Sequence, residues 1–147
     1  RLLGVLREDA SVEAARDPQP GLARLNELVE TARAAGTPVR LTLDGQVTEL
    51  SPGVDLCAYR ILQEALTNVR RHAPGAAVEV ELEYTSDMLR LRVRDHGPGA
   101  VSPDLDGHGV LGMRERAIMV GGTLSAGPAE GGGFAVEASL PIPKASS

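Results

Sequence analysis

Apolar positions along this chain change period several times, and each change marks an element. From Gly21 to Ala35, Leu22, Leu25, Leu28, Val29 and Ala32 recur at helical spacing, with Gly36 as the stop. Val39, Leu41 and Leu43 then alternate with polar residues, which predicts a strand ending at Asp44-Gly45. Ser51-Pro52 opens a second helix, with Ser at the N-cap and Pro at the first helical position, where its missing N–H costs nothing. That helix is predicted to run to about Ala73 and to stop at Pro74-Gly75. Leu62, Ala65, Leu66 and Val69 share one side of it, and Glu64, Asn68, Arg71 and His72 occupy another. The polar four are spaced so that all can converge on one object.

The next two segments set their own register. Val78, Val80, Leu82 and Tyr84 alternate with Glu79, Glu81 and Glu83, and Leu89, Leu91 and Val93 alternate with Arg90, Arg92 and Arg94. With Thr85–Met88 as a four-residue loop, Glu83 faces Arg90, Glu81 faces Arg92 and Glu79 faces Arg94. One face is then a charge lattice for solvent, and the other is apolar and must be covered by helices. Asp95 continues the Leu89, Leu91, Val93 series, so its carboxylate points to the covered face, where an acid is costly unless it is paired or meets a ligand. Residues 100–111 read as a loop, Gly112 to Val120 as a short helix, and 122–126 and 134–140 as two final strands joined by Gly131-Gly132-Gly133. Residues 1–8 read as the end of a helix begun upstream and 9–20 as a linker. These readings divide the chain into 1–20, a domain over 21–143 and a tail over 144–147.

Composition narrows the class. A chain of 147 residues buries a core without staples. With two Tyr, one Phe and no Trp, that core must be aliphatic. A net charge of −5 with scattered Lys and Arg argues against a nucleic-acid partner. No apolar run approaches the ~20 residues of a membrane span, so no membrane contact is expected of this stretch. The lone Cys57 lies in an apolar helical pattern and reads as a buried structural thiol.

The chemistry gathers in three short runs. Asn68 is a poor mid-helix residue, and its neutral oxygen suits Mg²⁺ shared with phosphates and water; a solvated helix Asn is the alternative. Glu64 on the same face either completes the outer metal shell or is a surface acid paired with Arg60 or Arg71. Arg71 and His72 meet phosphate oxygens or cap the helix C-terminus. Asp95 either accepts a hydrogen bond from the exocyclic amine of adenine or forms a salt bridge at the strand end, with Gly97 and Gly99 clearing space beside it. Gly107-His108-Gly109-Val110-Leu111-Gly112 matches G-x-G-x-x-G, but no strand precedes it as a dinucleotide fingerprint requires. A flap whose amides and following helix N-terminus hold phosphates fits better. His96 and His108 have no partners at metal-site spacing.

In this order the runs resemble the ATP-binding domain of sensor histidine kinases, within the superfamily that includes gyrase, Hsp90 and MutL ATPase domains. Tyr59 to Ala73 resembles the N box, Asp95-His-Gly-Pro-Gly99 the G1 box, and Gly107 to Ala117 the G2 box with the short lid of the nitrate-sensor and desaturase-thermosensor branch. The resemblance covers about Gly21 to Pro143. It implies an α+β fold, a two-layer α/β sandwich of Bergerat type, with a mixed sheet of about five strands and three helices on one face. It implies ATP and Mg²⁺ as ligands, with Asn68 and Glu64 at the metal. Arg71, His72, Asp95, Gly97, Gly99, Gly107, His108, Gly109, Val110, Leu111, Gly112, Met113 and Phe134 complete the nucleotide site. Phe134 stands where many relatives carry a small Thr. The phosphoacceptor His of the family lies on an upstream dimerisation hairpin, of which Arg1–Arg7 resembles the end, so this chain is expected to bind Mg·ATP without phosphorylating itself. The implied partners are that dimerisation domain, in a homodimeric parent, and indirectly a response regulator. The domain is expected to be cytoplasmic, with an inner-membrane anchor elsewhere in the parent left open. The competing readings are an anti-sigma-factor serine kinase of the same superfamily and a degenerate module that only positions partners.

Overall fold

A 3-10 turn at Leu22–Arg24 leads into α1 (Leu25–Ala34), followed by β1 (Val39–Asp44), α2 (Pro52–His72), β2 (Val78–Tyr84), β3 (Met88–Asp95), α3 (Val110–Met119), β4 (Thr123–Pro128) and β5 (Phe134–Pro141). The structure, a computed structural model, describes residues 21–97 and 109–142. The expected helix end and linker over 1–20, the tail over 144–147, and Gly99, Gly107 and His108 lie outside the described residues.

The five strands form one mixed sheet in the order β1-β2-β3-β5-β4. β1 and β2 are parallel, and every other neighbouring pair is antiparallel. The β2–β3 register is the one the charge alternation predicts: Glu83 opposite Arg90, Glu81 opposite Arg92 and Glu79 opposite Arg94. On the open face Arg90 and Arg92 reach Glu83 and Glu81 at 3.8 and 3.7 Å, and Arg92 also reaches Glu137 on β5 at 3.2 Å. On the covered face Val80, Leu82, Leu89, Leu91, Val93 and Leu140 are buried with Ile61, Leu62 and Met113 from the helices. Each such aliphatic side chain contributes about 1.5–3 kcal/mol relative to exposure.

α2 is the central helix. Ser51 Oγ accepts the Val54 N–H at 3.4 Å, and Pro52 occupies the first turn. Its inner side carries Ala58, Ile61, Leu62, Ala65, Leu66 and Val69 onto the sheet. The chain enters beside its first turn, where Leu22 N–H donates to Asp55 Oδ1 at 2.8 Å. Two elements differ from the sequence expectation. α3 begins at Val110 rather than Gly112, because Gly109 takes a left-handed conformation (φ +67°) that starts the helix two residues earlier. β1 loses its alternation at Leu43, which is 50 % exposed, because an edge strand has a neighbour on one side only.

Candidate functional site

Among the described residues three polar side chains are buried: Thr37, Asn68 and Asp95. Two of them meet. α2 presents Ala65, Asn68, Val69 and His72 to a recess whose other walls are Val93 and Asp95 from β3 and Phe134 and Val136 from β5. Asn68 is 4 % exposed and Asp95 6 %. Burying an amide and a carboxylate at one recess of an apolar layer is costly for stability, which makes this end of the α2–β3 layer the candidate site.

Strand parity carries Asp95 inward, and the turn that follows fixes its rotation: Asp95 Oδ1 accepts the Gly97 N–H at 2.9 Å. Glycines surround the acid because larger residues do not fit. A Cβ on Gly97 would lie 2.9 Å from Ala73 Cβ and 3.2 Å from Asp95 Oδ1. A Cβ on Gly133 would collide with the Asp95 carbonyl oxygen, and Gly133 also holds φ +86°. Gly109 repeats this at the second acid, with a Cβ there only 2.8 Å from Glu64 Oε2. Glu64 is half-buried one turn before Asn68, so its carboxylate rests at the N-terminal end of α3, where helix N–H groups favour negative charge. The alternative of an Arg60–Glu64 pair is not what forms: Arg60 Nη1 donates to Gln63 Oε1 at 3.1 Å, and no ion pair joins Glu64 to Arg60 or Arg71 among the described residues.

The remaining candidates divide. His72 lines the recess, whereas Arg71 is exposed and stands outside it. Val110 and Met113 are packed into the core, Gly112 is half-buried and Leu111 is 57 % exposed. Phe134, 8 % exposed, forms one wall of the recess. The recess itself is narrow, about 10 Å³, against the roughly 300–1,000 Å³ of clefts that hold drug-sized ligands. Sequence reasoning missed Val93, Val136 and Gly133 as parts of this site. Val93 shares Asp95's parity and was legible; Val136 was not, because the β3–β5 pairing joins segments about forty residues apart. Cys57, one helical turn from Ile61, is a buried thiol whose pKa is raised by burial, with Arg116 opposing, in keeping with a structural role.

The donor set suits magnesium and a nucleotide. Asn68 and Glu64 supply hard oxygens at i, i+4 on one helix. The described residues contain no group of three or more His, Cys, Asp or Glu able to hold a metal ion by themselves. A cation at Asn68 and Glu64 would take its remaining ligands from phosphate and water.

Residues 53–144 match the family model described as "Histidine kinase-, DNA gyrase B-, and HSP90-like ATPase". The chain belongs to this family, and the resemblance drawn from its three motif runs holds. It is 37 % identical over 120 residues to the sensor histidine kinase LiaS of Bacillus subtilis, covering 80 % of this chain and 33 % of that protein. It is 34 % identical over 112 residues to the sensor protein VraS of Staphylococcus aureus, covering 75 % of this chain and 32 % of that protein. The chain thus spans about a third of the length of these relatives. Among solved structures, its fold is similar to the blue-light activated histidine kinase of Erythrobacter litoralis, with TM-score 0.67 at 19 % identity over 84 % of this chain and 42 % of that one. It is similar also to the histidine kinase AdeS of Acinetobacter baumannii, with TM-score 0.65 at 16 % identity over 96 % of this chain and 77 % of that one. The α+β sandwich with its five-stranded mixed sheet is the architecture these ATPase domains share.

Proposed function

We propose that this chain binds Mg·ATP and serves as the catalytic domain of a sensor histidine kinase, presenting the γ-phosphoryl group to a histidine on a dimerisation domain. The observation that carries the reading is the pairing of buried Asn68 and buried Asp95 across one recess, with glycines wherever a side chain would fill the space beside the acids. Asp95 reads adenine: a carboxylate held by the Gly97 N–H accepts from an exocyclic amine and rejects guanine, which carries a carbonyl at that ring position. Asn68 and Glu64 would hold Mg²⁺, which would supply positive charge to offset that of the phosphates. Gly109 and the α3 N-terminus lie beside Glu64, where backbone N–H groups meet phosphate. His72 at the recess offers ring nitrogens to phosphate oxygens, and exposed Arg71, outside the recess, contributes positive charge from the same helix end. Gly97, Val110, Leu111, Gly112, Met113 and Phe134 would shape the nucleotide pocket, to which the family resemblance also assigns Gly99, Gly107 and His108. The protein's part in the transfer is to orient the reacting phosphate and stabilise charge, since the acceptor imidazole nitrogen attacks phosphorus as the bridging oxygen leaves with ADP.

The acceptor histidine and the base that frees it belong to the partner domain of a homodimeric parent, with a response regulator downstream. The names of the curated relatives as sensor proteins support this assignment. No helix among the described residues is long and apolar enough to cross a membrane, which fits a cytoplasmic catalytic domain.

Thermal unfolding of this chain with and without Mg·ATP tests the reading. Ligand at about a hundred times its Kd adds roughly 2.7 kcal/mol, a rise of several degrees in Tm. The rise should require Mg²⁺, shrink in Asn68→Ala and Asp95→Asn, and be absent with GTP. No rise at millimolar Mg·ATP would overturn the reading in favour of a module that positions partners without nucleotide.

A further inference from the structure

Arg94 departs from the pattern of its neighbours on the open face of β3. Arg90 and Arg92 pair with the glutamates opposite them. By register Arg94 stands opposite Glu79, yet Glu79 pairs with His96 at 3.5 Å and no ion pair joins it to Arg94 among the described residues. Arg94 Nη2 donates instead to the Glu130 carbonyl at 2.6 Å and to the Gly132 carbonyl at 3.4 Å.

Those carbonyls belong to the turn that joins β4 to β5. It closes through Ala129 N–H to the Gly133 carbonyl at 2.8 Å and Gly132 N–H to the Ala129 carbonyl at 3.0 Å. Gly131, Gly132 and Gly133 hold φ of +86°, +111° and +86°. Three successive glycines lose much conformational freedom on ordering, so an outside tie matters to their shape. The turn lies against the site: Gly133 leaves no room for a side chain beside the Asp95 carbonyl, and the next residue is Phe134, which lines the recess next to Asp95 on the adjacent strand. The pleat of β3 therefore divides two tasks between adjacent residues. Asp95 points into the recess, and Arg94, on the other face, grips the segment that closes it.

We propose that Arg94 is a positioning residue for base selection, which by clasping the Ala129–Gly133 turn sets how Phe134 is seated beside Asp95. The seating of Phe134 decides how an exocyclic amine meets the carboxylate beside it, so Arg94 governs the preference for adenine without touching the nucleotide. This rests on the reading of Asp95 as the base-selecting acid. A guanidinium serves because one nitrogen group spans two carbonyls; an ammonium on a flexible stem holds one geometry less firmly.

The test is titration calorimetry of the full chain with Mg·ATP and Mg·GTP for wild type, Arg94→Met, Arg94→Lys and Arg90→Met, with nucleotide-free melting as the check on folding. Arg94→Met keeps the aliphatic stem and removes the donors; Arg90→Met removes the same charge at the far end of β3. Loss of a charge-assisted hydrogen bond predicts about tenfold weaker ATP binding in Arg94→Met, a narrowed ATP-to-GTP ratio, partial recovery in Arg94→Lys and wild-type values in Arg90→Met. Wild-type ATP affinity and preference in whichever Arg94 variant folds would overturn the proposal. So would an equal loss in Arg90→Met, which would assign the effect to net charge, or failure of both Arg94 variants to fold, which would make the residue structural. Failure of the wild-type chain itself to bind ATP removes the reading of Asp95, and is distinct from variants that match a binding wild type.

Discussion

Asp95 shows, at the scale of one residue, how a strand's core face comes to hold a buried acid. The pleat that buries Leu89, Leu91 and Val93 buries it as well, and a carboxylate there is costly without a hydrogen-bond partner. The Gly97 N–H holds one oxygen, and Gly133 stands close on the other side of the acid. Gly133→Ala is expected to destabilise the fold by about 1–3 kcal/mol, through its positive φ and the collision of the new methyl with the Asp95 carbonyl. Urea unfolding checks this; a change below about 0.5 kcal/mol, the range of an ordinary surface substitution, would contradict it. Glu64 shows where residue-level reasoning ends. Helical spacing placed it with Asn68, but it also allowed pairing with Arg60 or Arg71. The approach of α3, which brings Gly109 against its carboxylate, is what distinguishes the two.

At the scale of elements, α2 does most of the organising. Its N-cap, apolar stripe and stop were all legible, since each rests on contacts a few residues long. Ser51→Ala should cost about 1 kcal/mol, read as a shift in the urea midpoint with an unchanged slope. The β2–β3 hairpin was equally legible. Alternating glutamates and arginines allow one register, because a slip of one residue would place every charge on the covered face. α3 was less so. Its start depends on the left-handed Gly109, and glycine sequence alone does not say which of Gly109 or Gly112 opens the helix. Leu43 likewise reads as a core residue by alternation and is half exposed, because being at a sheet edge is a property of strand order.

For the whole molecule, one apolar layer between helices and sheet supplies the stability, and the open face supplies register and solubility. Leu91→Ala is expected to cost 2–5 kcal/mol, typical of a Leu truncated in a close-packed interior. Arg90→Ala, on the same strand with both partners of its ion pair more than half exposed, should cost less than about 1 kcal/mol. Denaturant unfolding of the two side by side checks the division, and similar losses in both would contradict it. The same layer holds the recess at one end, where α2, β3 and β5 converge.

What the sequence determined by itself was everything encoded by short-range periodicity: α1 and α2, the β2–β3 register, the inward direction of Asp95, and the common face of Glu64 and Asn68. These follow from helix and strand geometry, which repeats over two to four residues. Only the tertiary structure decided the strand order, the meeting of Phe134 and Val136 with Asp95, the seating of Glu64 at α3, and the diversion of Arg94 from Glu79 to the glycine turn. Each of those joins segments distant in sequence, and it is packing of the layers, rather than any local preference, that brings them into contact.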